Sequence, residues 1–153
     1  MLVNQLLSMK GDSGKPGVAG ATIATVKPTD SVAEAVRLLS ELSIGAVVVS
    51  SDGQRPEGIL SERDIVRQLG KKGAAVLDSP ISDLMTREVQ TCALSEDALV
   101  ILDRMTQGRF RHLPVVDEQG NMLGVVSIGD AVSGRLKELA AEKEALTGMI
   151  MGN

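Results

Sequence analysis

The sequence predicts an α/β (α+β) protein made of two pseudo-symmetric β-α-β-β-α repeats packed together, with an extended C-terminal helix. Three observations carry that expectation. From residue 25 onward the chain repeats itself at a shift of 66 positions, Thr25 returning as Thr91. An apolar stripe at helical spacing occurs in each copy: Val32, Ala35, Val36 and Leu39, then Ala98, Ile101, Leu102 and Met105. Each stripe leads into a β-branched run, Ala46–Val49 or Leu113–Val116. A turn at Asp52-Gly53 or Gln119-Gly120 follows, and then a short apolar strand, Gly58–Leu60 or Gly124–Val126.

Taken in order, residues 1–20 read as an N-terminal turn and a flexible loop, because Lys10–Gly20 is rich in Gly, Lys and Ser. The Gly14-Lys15 pair there does not make a phosphate loop. Gly11 stands only three residues before Gly14, and Pro16 replaces the Ser or Thr that would hold magnesium. The first repeat occupies 21–70, and Ser31 with Glu34 forms a capping-box start for its first helix. A linker at 71–86, marked by Pro80, leads to the second repeat at 87–135, whose equivalent helix Asp97 can cap. Units of this size bury too little surface to stand alone, so the two are expected to pack on each other. Residues 136–153 form a C-terminal helical extension. Val132, Leu136, Leu139, Lys143, Leu146 and Ile150 are spaced alternately by four and three, a heptad-like seam interrupted by Lys143. Such a seam either lies on its own domain or pairs with a second subunit.

Composition narrows the function classes. The 153 residues carry 16 Lys and Arg against 20 Asp and Glu, a formal net charge of −4. With no Trp, no Tyr and one Phe, the chain has no aromatic platform for single-stranded nucleic acid, and its acidic balance argues against duplex binding. The single Cys92 excludes an internal disulfide and a thiolate metal cluster. No apolar run is long enough to span a membrane, and Met1–Lys10 lacks the features of a secretory signal, so the expected location is cytoplasmic. Catalysis has little to stand on. One His has no recognisable nucleophile, and Ser127 lies in Gly-x-x-Ser-x-Gly, one residue too long for a nucleophile elbow. Neither catalytic residues nor a metal site is expected.

Each copy closes with Ser-x-x-Asp, Ser61…Asp64 and Ser127…Asp130. Taken singly, each is a capping box. Both, however, directly follow a short apolar strand, and at such a junction a carboxylate can accept hydrogen bonds from two ribose hydroxyls. The Ser hydroxyl and first-turn N–H groups can face a phosphate. Arg111 and His112 precede a strand that reads as buried. They are either a solvated strand edge or, through the forked guanidinium donors, a phosphate contact. The first copy carries Gly45 and Ala46 at the matching places, so only one side is basic.

The doubled pattern Gly58-Ile59-Leu60-Ser61-Glu62-Arg63-Asp64 and Gly124-Val125-Val126-Ser127-Ile128-Gly129-Asp130, with Phe110–Asp117, resembles the tandem CBS-domain proteins, or Bateman modules. The likeness covers roughly residues 21–135 and is strongest to small bacterial stand-alone CBS pairs. It implies a regulatory module, sensing energy or redox state, that binds an adenosyl ligand such as AMP, ATP, NAD or S-adenosylmethionine between the repeats. It also implies a homodimer, and a regulated protein partner that the sequence does not identify. Carried over residue by residue, one cleft combines Ile59, Ser61, Arg63 and Asp64 with Val89, Gln90, His112 and Pro114. The other combines Val125, Ser127, Asp130 and Arg111 with Ile23, Ala24, Ala46 and Val48. The alternative is a structural dimerisation module with vestigial clefts.

Overall fold

The computed structural model describes residues 1–9 and 24–150. In order, it contains α1 (Val3–Met9), β1 (Thr25–Val26), α2 (Val32–Leu42), β2 (Ala46–Val49), β3 (Gly58–Ser61) and α3 (Glu62–Lys72). Two 3₁₀ turns, Ala74–Asp78 and Ile81–Asp83, lead to α4 (Ala98–Gly108), β4 (His112–Val116), β5 (Met122–Ser127) and α5 (Ile128–Ile150). Strand β1 runs parallel to β2, and β2 pairs antiparallel with β3; β4 pairs antiparallel with β5. The first strand of the second repeat is reduced to one parallel bridge, Cys92 to Val115.

The 66-residue repeat is carried by the backbone down to individual bonds. Ala46 pairs with Ser61 and His112 with Ser127, while Val26 pairs with Val49 and Cys92 with Val115. The N–H of Glu62 donates to the Gly45 carbonyl and that of Ile128 to the Arg111 carbonyl. Both α2 and α4 end on a left-handed residue, Ser43 (φ 52°) and Arg109 (φ 56°). Ser31 caps α2 by accepting from the Glu34 N–H, and Asp97 caps α4 by accepting from the Leu99 N–H at 2.8 Å. The expected capping box at Ser31 is only half made. The Glu34 carboxylate turns instead to Arg37, one turn along the helix, where an ion pair replaces the return bond.

Two hydrophobic clusters follow, one per repeat. The first is built on Val32, Ala35 and Leu39 of α2 with Val47, Val49 and Leu60, and the second on Ala98, Ile101 and Met105 with Leu113, Val115 and Val126. Strand alternation sends Val48 and Pro114 to the opposite sheet face from these cores. Both are buried there, outside either cluster. Cys92 is buried in the second core, and burial, with the neighbouring Glu96 charge, pushes its thiol up to about 12. A thiol so placed stays protonated and packs as a small apolar side chain.

The N-terminal segment departs from expectation. Residues 3–9 are a helix rather than a turn, and Val3, Leu6 and Leu7 are buried in the core of the second repeat. The backbone bonds explain why. Ile81 donates to the Asp30 carbonyl and Ser82 to Pro28; Val3 donates to Glu96 and Asn4 to Leu94. Likewise the Val32 N–H donates to Ser79 and the Ala98 N–H to Met1. The stretch 1–9 therefore repeats 79–87 at a shift of 78, with Val3, Leu6 and Leu7 in the places of Ile81, Leu84 and Met85. Each repeat is closed by the segment that precedes the other. Gly134 of α5 permits the approach of α1, since a Cβ there would run into Leu6 and the Met1 sulfur. The Gly14-Lys15 pair and the rest of the expected loop lie outside the described residues.

Helix α5 runs through Ile150, and its seam does not lie on the body of the protein: Leu136 is 60% exposed, Leu146 59% and Ile150 83%. Leu6→Ala would leave a cavity between α1 and α5. It is expected to cost about 2–5 kcal/mol of unfolding free energy, the usual range for a buried Leu, read by urea denaturation.

Candidate functional site

The crossed closing segments set where a ligand can sit. Ile59 of β3 and Thr86 exchange both backbone N–H···O bonds, at 3.1 and 2.9 Å, so the linker extends the first sheet by one more short strand. That pairing brings Thr86, Glu88, Val89 and Gln90 alongside Ile59 and the start of α3. A cavity of about 690 Å³ opens between them and the start of β4. Its wall combines Ile59, Ser61, Arg63, Asp64 and Arg67 with Thr86, Val89 and Gln90, and with Arg109, Arg111 and His112 of the second repeat.

The helix start within this wall is firmly built. The Ser61 side chain accepts from the Asp64 N–H at 3.3 Å, while the Ser61 N–H and hydroxyl both donate to Asp64 Oδ2 at 3.0 Å. A full capping box results. Because the box converges on Oδ2, it fixes the carboxylate while Oδ1 stays outside the box. Ser127 and Asp130 repeat the arrangement at the start of α5, the Ser127 N–H donating to Asp130 Oδ2 at 2.8 Å. Gly45 serves the approach of the two repeats: a Cβ there would meet His112 Nε2 at 3.2 Å, so the imidazole lies against bare backbone.

Of the first expected cleft, Ile59, Ser61, Arg63, Asp64, Val89, Gln90 and His112 come together in the cavity. Pro114 does not. It is buried in β4 opposite Val125: it shares the strand face of His112 but stands two residues further along, beyond the cavity mouth. Arg111 and Ser127, expected in the second cleft, line this same cavity. The reason is geometric: they stand at the start of β4 and the end of β5, which face Gly45 and Glu62 across the junction of the repeats. Of the remaining second-cleft residues, Val125, Asp130, Ala24, Ala46 and Val48 occupy the 66-shifted places in the other half and are not part of this cavity, with Val48 fully buried. Ile23 lies outside the described residues. The sequence reading missed Arg67 and Arg109. Arg67 follows Arg63 by four and Asp64 by three, the spacing of one helix face, and that signal was available.

The fold and site together define a class: a tandem α/β repeat protein with a cavity walled by both repeats and the linker between them. More specifically, the chain belongs to the CBS-domain family, whose model matches residues 20–71 and 81–136. A CBS-domain containing protein from Agrobacterium tumefaciens shares 38% identity and a TM-score of 0.77, covering 88% of this chain and 99% of that one. A protein with CBS domains from Burkholderia ambifaria shares 35% identity and a TM-score of 0.78, covering 90% and 95%. The mitochondrial CBS domain-containing protein of Arabidopsis thaliana is 33% identical over 127 residues, 80% of this chain, and this chain spans only 61% of its length. No described helix is long and apolar enough to cross a membrane.

Ser61→Ala removes the acceptor that caps α3. It is expected to lower stability by about 0.5–2 kcal/mol in chemical denaturation, with Ser127→Ala costing a similar amount at α5.

Proposed function

We propose that the chain is a regulatory, non-catalytic module that binds an adenosyl nucleotide in the cavity between its repeats. The observation that carries this reading is the convergence there of a fixed Asp64 carboxylate, aliphatic Ile59 and Val89, and basic Arg111 and His112. Asp64 Oδ1 suits two ribose hydroxyls, the aliphatic side chains suit an adenine face, and the basic pair suits phosphate. Support comes from relatives of the same fold at 24% identity. One is the Pyrobaculum aerophilum CBS domain protein complexed with AMP; another is a CBS domain pair in complex with 5′-methylthioadenosine and S-adenosyl-L-methionine. Because the wall draws on both repeats and on the linker, a bound ligand favours whichever relative arrangement completes it, and so shifts the population of the surface shown to a protein partner.

A panel of AMP, ADP, ATP, NAD and S-adenosylmethionine is expected to raise the melting temperature through mass action on the folded state. Asp64→Ala is expected to weaken the best of them by about 1.5–3 kcal/mol in titration calorimetry, as hydrogen bonds to a charged group are lost. No shift and no heat with any of the five would leave the structural dimerisation module as the better reading.

The homodimer is proposed on the exposed seam Val132, Leu136, Leu139, Leu146 and Ile150 of α5. A two-fold pairing that covers these residues is the simplest closed assembly. Light scattering is expected to give twice the chain mass, and Leu136→Glu with Leu139→Glu is expected to give the monomer.

A further inference from the structure

Four arginines stand on the cavity wall: Arg63 and Arg67 on α3, Arg109 at the end of α4 and Arg111 just before β4. Among the described residues no ion pair engages any of them; the same holds for Arg55 and Arg87 elsewhere, while Arg37, Arg104 and Arg135 are paired with Glu, so what sets the cavity apart is the gathering of four unpaired guanidinium groups on one wall. The protein has acids to spare, at −4 overall, yet among the described residues Glu62, Asp64 and Glu88 are the only acids on this wall, against four guanidinium groups. Asp64 is moreover committed to the Ser61 cap. The first turns of α3 and α5, at Ser61 and at Ser127-Ile128, also border the cavity, so two positive helix ends add to the same potential. Solvated side chains of no consequence would not require the local excess, which works against the overall charge.

A monophosphate has too little charge to use this wall. AMP carries about −2 near neutral pH, which two of the four guanidinium groups balance. Arg67 lies three residues, about 4.5 Å of helix rise, beyond Asp64, and forked guanidinium donors suit the phosphates further along a chain. We infer that Arg67 and Arg109, with Arg63 and Arg111, form a polyphosphate subsite, so that the ligand class of this cavity is an adenosyl di- or triphosphate rather than a monophosphate or a sulfonium-bearing adenosyl compound. This inference rests on the nucleotide reading above for the adenosyl half of the ligand, but not for the anionic half.

The test is titration calorimetry of the full chain with adenosine, AMP, ATP, S-adenosylmethionine and inorganic tripolyphosphate. It compares the native protein with Arg67→Gln/Arg109→Gln, both exposed positions whose folding is checked by melting. ATP is expected to bind at least about tenfold tighter than AMP, a difference of about 1.4 kcal/mol. The double variant is expected to remove that advantage by lowering ATP affinity far more than AMP affinity. Tripolyphosphate is expected to displace ATP, and rising salt to weaken ATP far more than adenosine. Equal affinity for AMP and ATP, or an ATP advantage that survives the double variant, overturns the subsite and leaves the nucleotide reading standing. Tripolyphosphate binding that the double variant abolishes, with no binding of adenosine or AMP, keeps the subsite and overturns the nucleotide reading. Failure of all five ligands overturns both.

Discussion

The rest of the structure hangs on how each repeat is closed. Ile81 donates its N–H to Asp30 and Val3 donates to Glu96, so the segment leading into one repeat is bonded to the other. Were each closing segment to fold back on its own repeat, Thr86 would not lie along Ile59, and the wall formed by Thr86, Val89 and Gln90 would not face Ser61 and Asp64. The cavity is thus a by-product of the closure. The backbone polar groups of the linker must find partners, and they find them on the edge of β3.

Backbone symmetry and side-chain chemistry are separated in this molecule. The hydrogen bonds at Glu62 and Ile128 are equivalent, as are the caps at Ser61 and Ser127 and the left-handed turns at Ser43 and Arg109. Yet Gly45 and Ala46 stand where the other repeat has Arg111 and His112, and Ser43 stands where it has Arg109. The fold therefore supplies two like frameworks, and the side chains give them different charges. The bare Gly45 is needed for this, because it lets the imidazole of one repeat rest on the backbone of the other.

Much of the architecture was legible in the sequence because it depends on local periodicity. The stripes at Val32–Leu39 and Ala98–Met105, the strands beginning at Ala46 and Gly58, and the helix starts at Ser61 and Ser127 all carry their own spacing signals. The second periodicity escaped notice because it is short and has a different length. Leu2–Ser8 matches Pro80–Thr86 only in its pattern of apolar positions, and its shift of 78 rather than 66 places 12 additional residues between this segment and β1. Of the candidate site, seven of the eight residues expected in the first cleft line one cavity: Ser61, Arg63 and Asp64 open a capped helix, Ile59 and His112 lie on the neighbouring strands, and the pairing of Ile59 with Thr86 carries Val89 and Gln90 alongside. Pro114 shares the face of His112 and differs only in its depth along β4, and a strand pattern gives the face of a side chain but not how far along the strand a cavity reaches. Arg111 and Ser127 were misplaced because nothing local says which neighbour the end of a strand will meet across a junction.

The crossed closure also fixes an order of events. Residues 24–86 contain the first core and its own closing segment as one continuous stretch, so this half lacks nothing once Thr86 has been made. The second half instead draws Val3, Leu6 and Leu7 from about a hundred residues upstream of Leu113 and Val126. Long loops must close before such contacts bring any gain, so they form late. Residues 3–9 are therefore the last to be seated, and until Gly134 emerges to receive Leu6, α1 has no groove in which to lie. A symmetric product is reached by an asymmetric route.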